Sequence, residues 1–196
     1  MTETADAHGP RPTLREMLEL AGASDQAKAL FQPQLGAREY VELLVSRQLY
    51  PDAVGLLVQL VSRREGVWWA WSCACDAAGA APAPGVAGVL DAVRQWILEP
   101  TDENRRAAFD AALAIDFEAS AGFAGLAVFL CGETLGPAGG PPAPPGPHAA
   151  IRAIAAGICV AAFEHTEGTE NRFPAFLARG LECAETGNAW ERASAG

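Results

Sequence analysis

The amino-acid sequence predicts an all-α protein, a multi-helix bundle of stacked antiparallel helix pairs with no sheet. From Gly36 onward, apolar residues recur with the helical period of about 3.6 residues. No segment alternates between apolar and polar residues as a half-buried strand does. Prolines at positions 51 and 100 stand where apolar stripes begin or end, as expected at helix boundaries. We expect seven to nine helices, with a short α-solenoid as the alternative topology.

The chain divides into three parts on this interpretation. Residues 1–34 form a weakly ordered N-terminal segment because three prolines interrupt them, although a short helix over 13–21 with Thr13 as its N-cap fits the pattern. Residues 35–188 form a single helical domain that contains a proline- and glycine-rich loop at 132–147. Residues 189–196 form a C-terminal tail.

The first half of the domain contains four apolar stripes at helical spacing. The first two are joined at Tyr50-Pro51 and predict an antiparallel helix pair. The third is apolar over so much of its surface that we expect it to be central in the bundle. The predicted helices are 38–49, 51–64, 67–77 and 86–97.

The second half of the domain begins with a helix for which Thr101 is the expected N-cap. Asp102 and Glu103 follow it, and acidic side chains favour a helix N-terminus. Its apolar face is expected to consist of Phe109, Leu113 and Phe117, which are four residues apart. Further helices are predicted at 121–131, with a cap at Ser120, and at 151–162 and 173–184.

Composition excludes several classes of partner. The chain has 196 residues, 24 acidic against 14 basic side chains, and a formal net charge of −10. This balance repels nucleic acid and anionic membrane surfaces, both of which bind basic residues. No apolar run is long enough to span a bilayer, so no membrane insertion is expected. The N-terminus contains no hydrophobic signal core, which predicts a cytoplasmic protein.

The five cysteines are predicted to be reduced thiols in the core. Their number is odd, they lie among apolar residues, and no C-x-x-C pair is present. The sequence also has none of the common phosphate-binding, dinucleotide-binding, zinc-protease or nucleophile-elbow motifs. We therefore predict no catalytic residues, no metal and no cofactor, and expect that the protein is not an enzyme. The cysteines are Cys73, Cys75, Cys131, Cys159 and Cys183.

Four residues are candidates for binding a protein partner. Trp69 belongs to a tryptophan cluster that is best interpreted as a core helix, with one of Trp68 and Trp69 reaching the surface at most. Arg105 and Arg106 fit a solvated face with carboxylates three and four residues away, and an interface anchor is the second interpretation. Trp190 is a candidate exposed aromatic residue in the tail, or one that folds back onto the bundle.

The histidines and the proline run have plainer interpretations. His165 lies beside two glutamates and fits a solvated helix end better than a base or ligand, while His8 and His148 lie in irregular segments. Residues 137–147 favour extended polyproline II structure. They serve either as a spacer across one end of the bundle, which is the commoner use, or as a docking motif for a domain that reads proline-rich peptides.

Several strings of residues occur together in an order that resembles a known family over about residues 36–187. They are Glu65-Gly66-Val67-Trp68-Trp69-Ala70, Val93-Arg94-Gln95-Trp96-Ile97-Leu98-Glu99-Pro100, Glu103-Asn104-Arg105-Arg106-Ala107-Ala108 and Ala121-Gly122-Phe123-Ala124, followed by the proline-rich loop before His148. The sequence resembles an uncharacterised family of mostly proteobacterial proteins, a domain of unknown function associated with type VI secretion gene neighbourhoods. The resemblance implies an accessory role beside a secretion machine and carries no activity or cofactor.

Three functional hypotheses follow. The first is a non-enzymatic interaction protein, an adaptor, chaperone-like or accessory protein that binds a secretion component or an effector. The second is an immunity protein that neutralises a basic toxin, because small size and an acidic balance suit that role. The third is a small-ligand binder or enzyme with a pocket between the helices near the tryptophans.

Overall fold

The structure is a computed structural model and describes residues 12–137, 139–164 and 171–187. Within these ranges it contains ten α-helices and no strand, which confirms the predicted all-α class. No helix in the described part of the chain is both long and apolar enough to cross a membrane. The helices are α1 Leu14–Ala21, α2 Asp25–Ala29, α3 Ala37–Ser46, α4 Tyr50–Leu57, α5 Arg63–Ala78, α6 Pro84–Leu98, α7 Asp102–Ala114, α8 Ala119–Leu130, α9 Ala149–Phe163 and α10 Phe173–Thr186.

The helices pack as a bundle around α8. This helix contacts α5, α6, α7 and α9, and α5 in turn contacts α6, α9 and α10. In a solenoid each repeat would touch only its neighbours along the chain. The arrangement around one central helix therefore favours the bundle over the alternative solenoid topology. The tryptophan-bearing α5 is also packed on several sides, as the sequence indicated.

Small side chains let the helices approach α8 closely. A Cβ atom at Gly125 would lie 2.7 Å from Cβ of Ala112 and 2.8 Å from the carbonyl oxygen of Ala108. Ala108 and Ala112 are themselves fully buried on α7. Glycine and alanine thus bring the backbones of α7 and α8 together, and this close contact determines where the polar side chains of α7 lie.

Residues 12–34 correct the prediction of weak order for the N-terminal segment. Thr13 caps α1 in a capping box with Glu16, as its sequence position suggested. Met17 and Leu18 are 4% and 3% exposed, and α1 packs against α4. The hydroxyl of Tyr40 donates a hydrogen bond to the carbonyl oxygen of Ala27 in α2. Local helix signals in α1 and contacts of α1 and α2 with the bundle thus order this segment; residues 1–11 lie outside the described residues.

Several helix boundaries also differ from the prediction. Helix α4 ends at Leu57, and α5 already begins at Arg63 with Ser62 as its N-cap, whose Oγ accepts a hydrogen bond from the backbone nitrogen of Glu65 at 3.3 Å. Helix α8 begins at Ala119, so Ser120 lies inside its first turn and not at its N-cap. The Ser120 hydroxyl instead donates to a carboxylate oxygen of Glu164 at 2.5 Å.

Candidate functional site

The side chain of Arg105 lies inside the protein, between α7 and the loop at 132–147. The residue is 3% exposed. Its Nη1 donates to the carbonyl oxygen of Phe129 at 2.7 Å, and its Nη2 donates to that of Thr134 at 3.1 Å. The guanidinium carbon also lies 4.7 Å from the centre of the Phe129 ring. The expectation of a solvated face is therefore wrong for Arg105, because its guanidinium group is buried and donates to two backbone carbonyl groups and to the carboxylate of Asp102.

Asp102 neutralises Arg105 and links it to Arg106. One carboxylate oxygen of Asp102 accepts from Nε and Nη2 of Arg105 at 2.9 and 2.6 Å, and the other accepts from Nε of Arg106 at 2.8 Å. Nη2 of Arg106 donates to the carbonyl oxygen of Gly136 at 2.9 Å. Hydrogen bonds from Arg106 and then Arg105 hold the pKa of Asp102 below its ordinary value. Together, the side chains of Asp102, Arg105 and Arg106 hold the start of the loop against α7, and we call these three residues the arginine clamp.

The loop also holds its own two sides together. The backbone nitrogen of Leu135 donates to the carbonyl oxygen of Ala143 at 2.7 Å. The hydroxyl oxygen of Thr134 accepts hydrogen bonds from the nitrogens of Ala143 at 2.9 Å and Gly136 at 3.1 Å. The segment at 141–146 is consequently attached to residues 134–136, which the arginine clamp ties to α7. The loop is a fixed surface feature.

Sequence reasoning missed three parts of this site. Neither the role of Thr134 in closing the loop nor the role of Asp102 in holding two arginines against it was recognised, because the loop and the start of α7 lie far apart along the chain. The third part is Gly132, where any larger residue would collide with Arg105: a Cβ atom there would lie 2.5 Å from Cζ of Arg105. A glycine that directly follows a helix and precedes a proline-rich loop is the one local hint that a side chain from elsewhere passes close to the backbone.

The apolar face of α7 also differs from the expected one. Leu113 is 50% exposed, whereas the buried residues of the helix are Arg105, Ala108 and Ala112. Phe109 is only half-buried and stacks on Phe129, with ring centres 4.0 Å apart. Helix α7 is rotated so that its smallest residues and one arginine face α8, because only these fit the close approach of the two backbones.

A surface groove lies beside the arginine clamp. It has a volume of about 480 Å³ and runs between the end of α6, the start of α7 and the loop. Trp96 forms part of its wall, and neither Trp68 nor Trp69 contributes. Among the described residues, no group of three or more histidine, cysteine or carboxylate side chains could hold a metal ion. The groove is lined by Trp96, Pro100, Thr101, Asp102, Arg105, Arg106, Cys131, Gly132, Glu133, Thr134, Pro137, Gly139 and Gly140.

Trp69 is a core residue and cannot contact a partner. It is fully buried, and its indole Nε1 donates to the carbonyl oxygen of Phe176 at 2.8 Å. A Cβ atom at Gly180 would lie 2.6 Å from Cη2 of the indole, so α10 closes tightly over the ring. The core interpretation of the cluster therefore holds for Trp69, and its candidacy as a partner-binding residue is wrong. Trp190 lies outside the described residues, as do His165 and His8.

No disulfide joins the described cysteines, and their thiols are shielded. Burial is the largest cause of a raised pKa at Cys75, Cys131 and Cys159, each from 9.0 to about 11, and burial also raises the pKa of Cys73. The thiolate is the reactive form, so these groups are poor nucleophiles at neutral pH. His148 has φ of +62° at the start of α9 and turns the chain from the loop into that helix.

Thiol labelling should be slow in the folded protein. We expect these cysteines to react with a thiol reagent more slowly at neutral pH than in denaturant, and faster as the pH rises. Because their folded pKa values are raised, the neutral thiols favour the folded state below pH 9.0, and that contribution is lost as the pH rises toward about 11. Labelling rates against pH, read by mass spectrometry, test this. A residue among them that reacts at neutral pH as fast as it does in denaturant would contradict the burial assigned to it.

The protein is a small all-α bundle in which a buried arginine holds an irregular surface loop. The chain belongs to the family of unknown function DUF6931, whose model matches residues 40–184. The match begins in α3 and ends in α10, so it covers the bundle and the loop but not α1 or α2. This agrees with the expected membership of an uncharacterised domain family. No curated protein and no solved structure matches the chain.

Proposed function

We propose that this protein is a non-enzymatic interaction protein, an adaptor, chaperone-like or accessory component that binds another protein. The observation that carries the proposal is the arginine clamp on the loop at 132–147. Burying a guanidinium requires compensation by hydrogen bonds and a counter-charge, which Arg105 receives from two carbonyl groups and Asp102. A mere spacer needs no such anchor. A loop held in one conformation loses little entropy when a partner binds it, which favours affinity.

The kind of partner and the cellular compartment that we propose are inferred from the sequence. The resemblance to mostly proteobacterial proteins found beside type VI secretion genes supports a secretion component or an effector as the partner, and the protein would work in the cytoplasm. The net charge of −10 favours a partner with a basic surface. Complementary charge would mainly raise the association rate and the specificity, while apolar contacts would supply most of the affinity.

Affinity purification from the source cells tests the proposal. The full-length chain with a tag serves as bait at low and at raised salt, and mass spectrometry identifies what is retained. We expect one protein to be enriched at a constant ratio to the bait, and the purified pair to re-form a complex whose association rate falls with salt. A bait that retains no protein above the tag-only control at either salt would contradict the proposal.

A second candidate is an immunity protein that neutralises a basic toxin. The excess of acidic over basic side chains, 24 against 14, favours it. Expression of the chain should then protect sensitive cells from the toxin encoded beside it, whereas an adaptor should leave killing unchanged. We do not propose a ligand site at Trp69, because its ring packs tightly against the backbone at Gly180.

A further inference from the structure

The backbone of residues 140–147 is restricted to one conformation by its own sequence. Every one of these eight residues either is a proline or directly precedes one. Proline holds its φ near about −65°, and the residue before proline is pushed into the extended and polyproline II region. The structure places neither helix nor strand at 141–146. The segment is therefore pre-ordered toward the polyproline II helix, which has about three residues per turn and no internal hydrogen bonds.

The threefold period sorts the prolines into ridges. Pro141, Pro144 and Pro147 fall on one edge of a polyproline II helix, and Pro142 and Pro145 fall on the next. The third edge carries only Gly140, Ala143 and Gly146, which have the smallest side chains. The sequence therefore has two proline ridges and one smooth edge.

Backbone hydrogen bonds of Ala143 attach the segment to the rest of the loop, and most of its proline rings are exposed. Both backbone groups of Ala143 bind the first part of the loop: its nitrogen donates to Oγ1 of Thr134 and its carbonyl oxygen accepts from the nitrogen of Leu135. The first ridge, Pro141, Pro144 and Pro147, is exposed throughout. On the second, Pro142 is exposed and Pro145 is half-buried. One complete proline ridge is thus exposed on an anchored backbone, and Gly140, Ala143 and Gly146 are exposed as well.

We infer that residues 140–147 are a preformed polyproline II ligand, and that the partner is a protein domain that receives the ridge of Pro141, Pro144 and Pro147 in an aromatic-lined groove. Proline rings pack on aromatic faces, and prolines offer carbonyl acceptors but no donors, so the groove supplies donors such as indole or phenol groups. No charged residue occurs between Thr134 and Pro147, so recognition depends on shape and apolar contact. This inference rests on the proposed function and specifies the surface that performs it.

A matched pair of double variants of the full-length chain tests the inference. In one, Pro141→Ala and Pro144→Ala remove two rings from the ridge; in the other, Pro33→Ala and Pro82→Ala change two prolines in other loops. The probe is the protein recovered by the affinity purification described above, purified and titrated by calorimetry. We expect the ridge variant to bind at least tenfold more weakly and the control variant to bind like the wild type. Pro141, Pro144 and Pro33 are exposed and Pro82 is half-buried, so both variants should retain the wild-type melting temperature to within a few degrees.

A peptide with the sequence of residues 139–148 supplies the second measurement. It should compete with the full-length chain for the recovered partner and change the partner's aromatic fluorescence. Equal binding of the ridge variant and the wild type, or a peptide that neither competes nor alters the fluorescence, overturns the inference while the interaction function stands. Recovery of no partner at all overturns the proposed function together with the inference, so the two failures are distinguishable.

Discussion

Replacing Arg105 with methionine is expected to lower the free energy of unfolding by roughly 3 kcal/mol. The substitution leaves the carbonyl groups of Phe129 and Thr134 without their guanidinium donors, and each buried unsatisfied acceptor costs about 1–3 kcal/mol. Methionine retains most of the apolar stem, so the loss reports the polar contacts and not a large cavity. Denaturant unfolding followed by tryptophan fluorescence measures the change.

Arg106 provides the matched control for this experiment. It is the neighbouring residue of the same type and also binds Asp102 and a loop carbonyl group, but its side chain is 25% exposed against 4% for Arg105. We expect Arg106→Met to cost about 1 kcal/mol, since water replaces the lost hydrogen bonds more easily. Similar losses for the two variants would show that burial of Arg105 has no special role.

Arg105→Lys separates charge from geometry. Lysine keeps the positive charge but lacks the planar group that reaches Asp102, Phe129 and Thr134 at once. We expect it to recover less than half of the stability lost in Arg105→Met. Hydrogen exchange at the amides of Leu135 and Ala143 should accelerate in both variants. These amides bond the two sides of the loop to each other, and in the variants the arginine clamp no longer holds residues 134–136 in place. Unchanged exchange at these amides would contradict the clamp.

Enlarging Gly180 to alanine is expected to destabilise the protein by about 1–3 kcal/mol, the usual cost of overpacking a core. The new Cβ atom would lie 2.6 Å from Cη2 and 2.7 Å from Cε2 of Trp69, so the indole or α10 must shift. Trp69→Phe should cost about 3 kcal/mol, because it removes part of a buried ring and leaves the carbonyl oxygen of Phe176 without its indole donor. Chemical unfolding of each variant gives both values.

The double variant with Gly180→Ala and Trp69→Phe tests whether residues 180 and 69 affect stability through their direct contact. Phenylalanine lacks the second ring that the new Cβ atom would meet, so Gly180→Ala should be much less harmful in the Trp69→Phe background. We expect a coupling energy of about 1 kcal/mol or more. Gly88→Ala serves as a control, because nothing lies within 4 Å of a Cβ atom at Gly88. Additive effects of Gly180→Ala and Trp69→Phe would exclude the tight contact.

Much of the fold could be predicted because helix signals are local. Thr13 and Thr101 accept hydrogen bonds from the third residue of their helices, as the sequence indicated, and the apolar stripes of α3, α5, α6, α9 and α10 lie where periodicity placed them. Helix α2 escaped prediction because five residues are too few to show a period. The end of α4 was misplaced because its apolar pattern continues through the turn that precedes the cap at Ser62.

The sequence by itself determined the helical class, the absence of common catalytic motifs and the restricted backbone of residues 140–147, since each depends on residues that are close along the chain. Only the tertiary structure decided that Arg105 is buried, that Trp69 is closed off by Gly180, and that the loop is anchored. An arginine on a helix has the same local pattern whether it faces water or protein. Its burial becomes favourable only where carbonyl groups from α8 and the loop arrive to bind it, and those contacts join residues 24 and 29 positions apart.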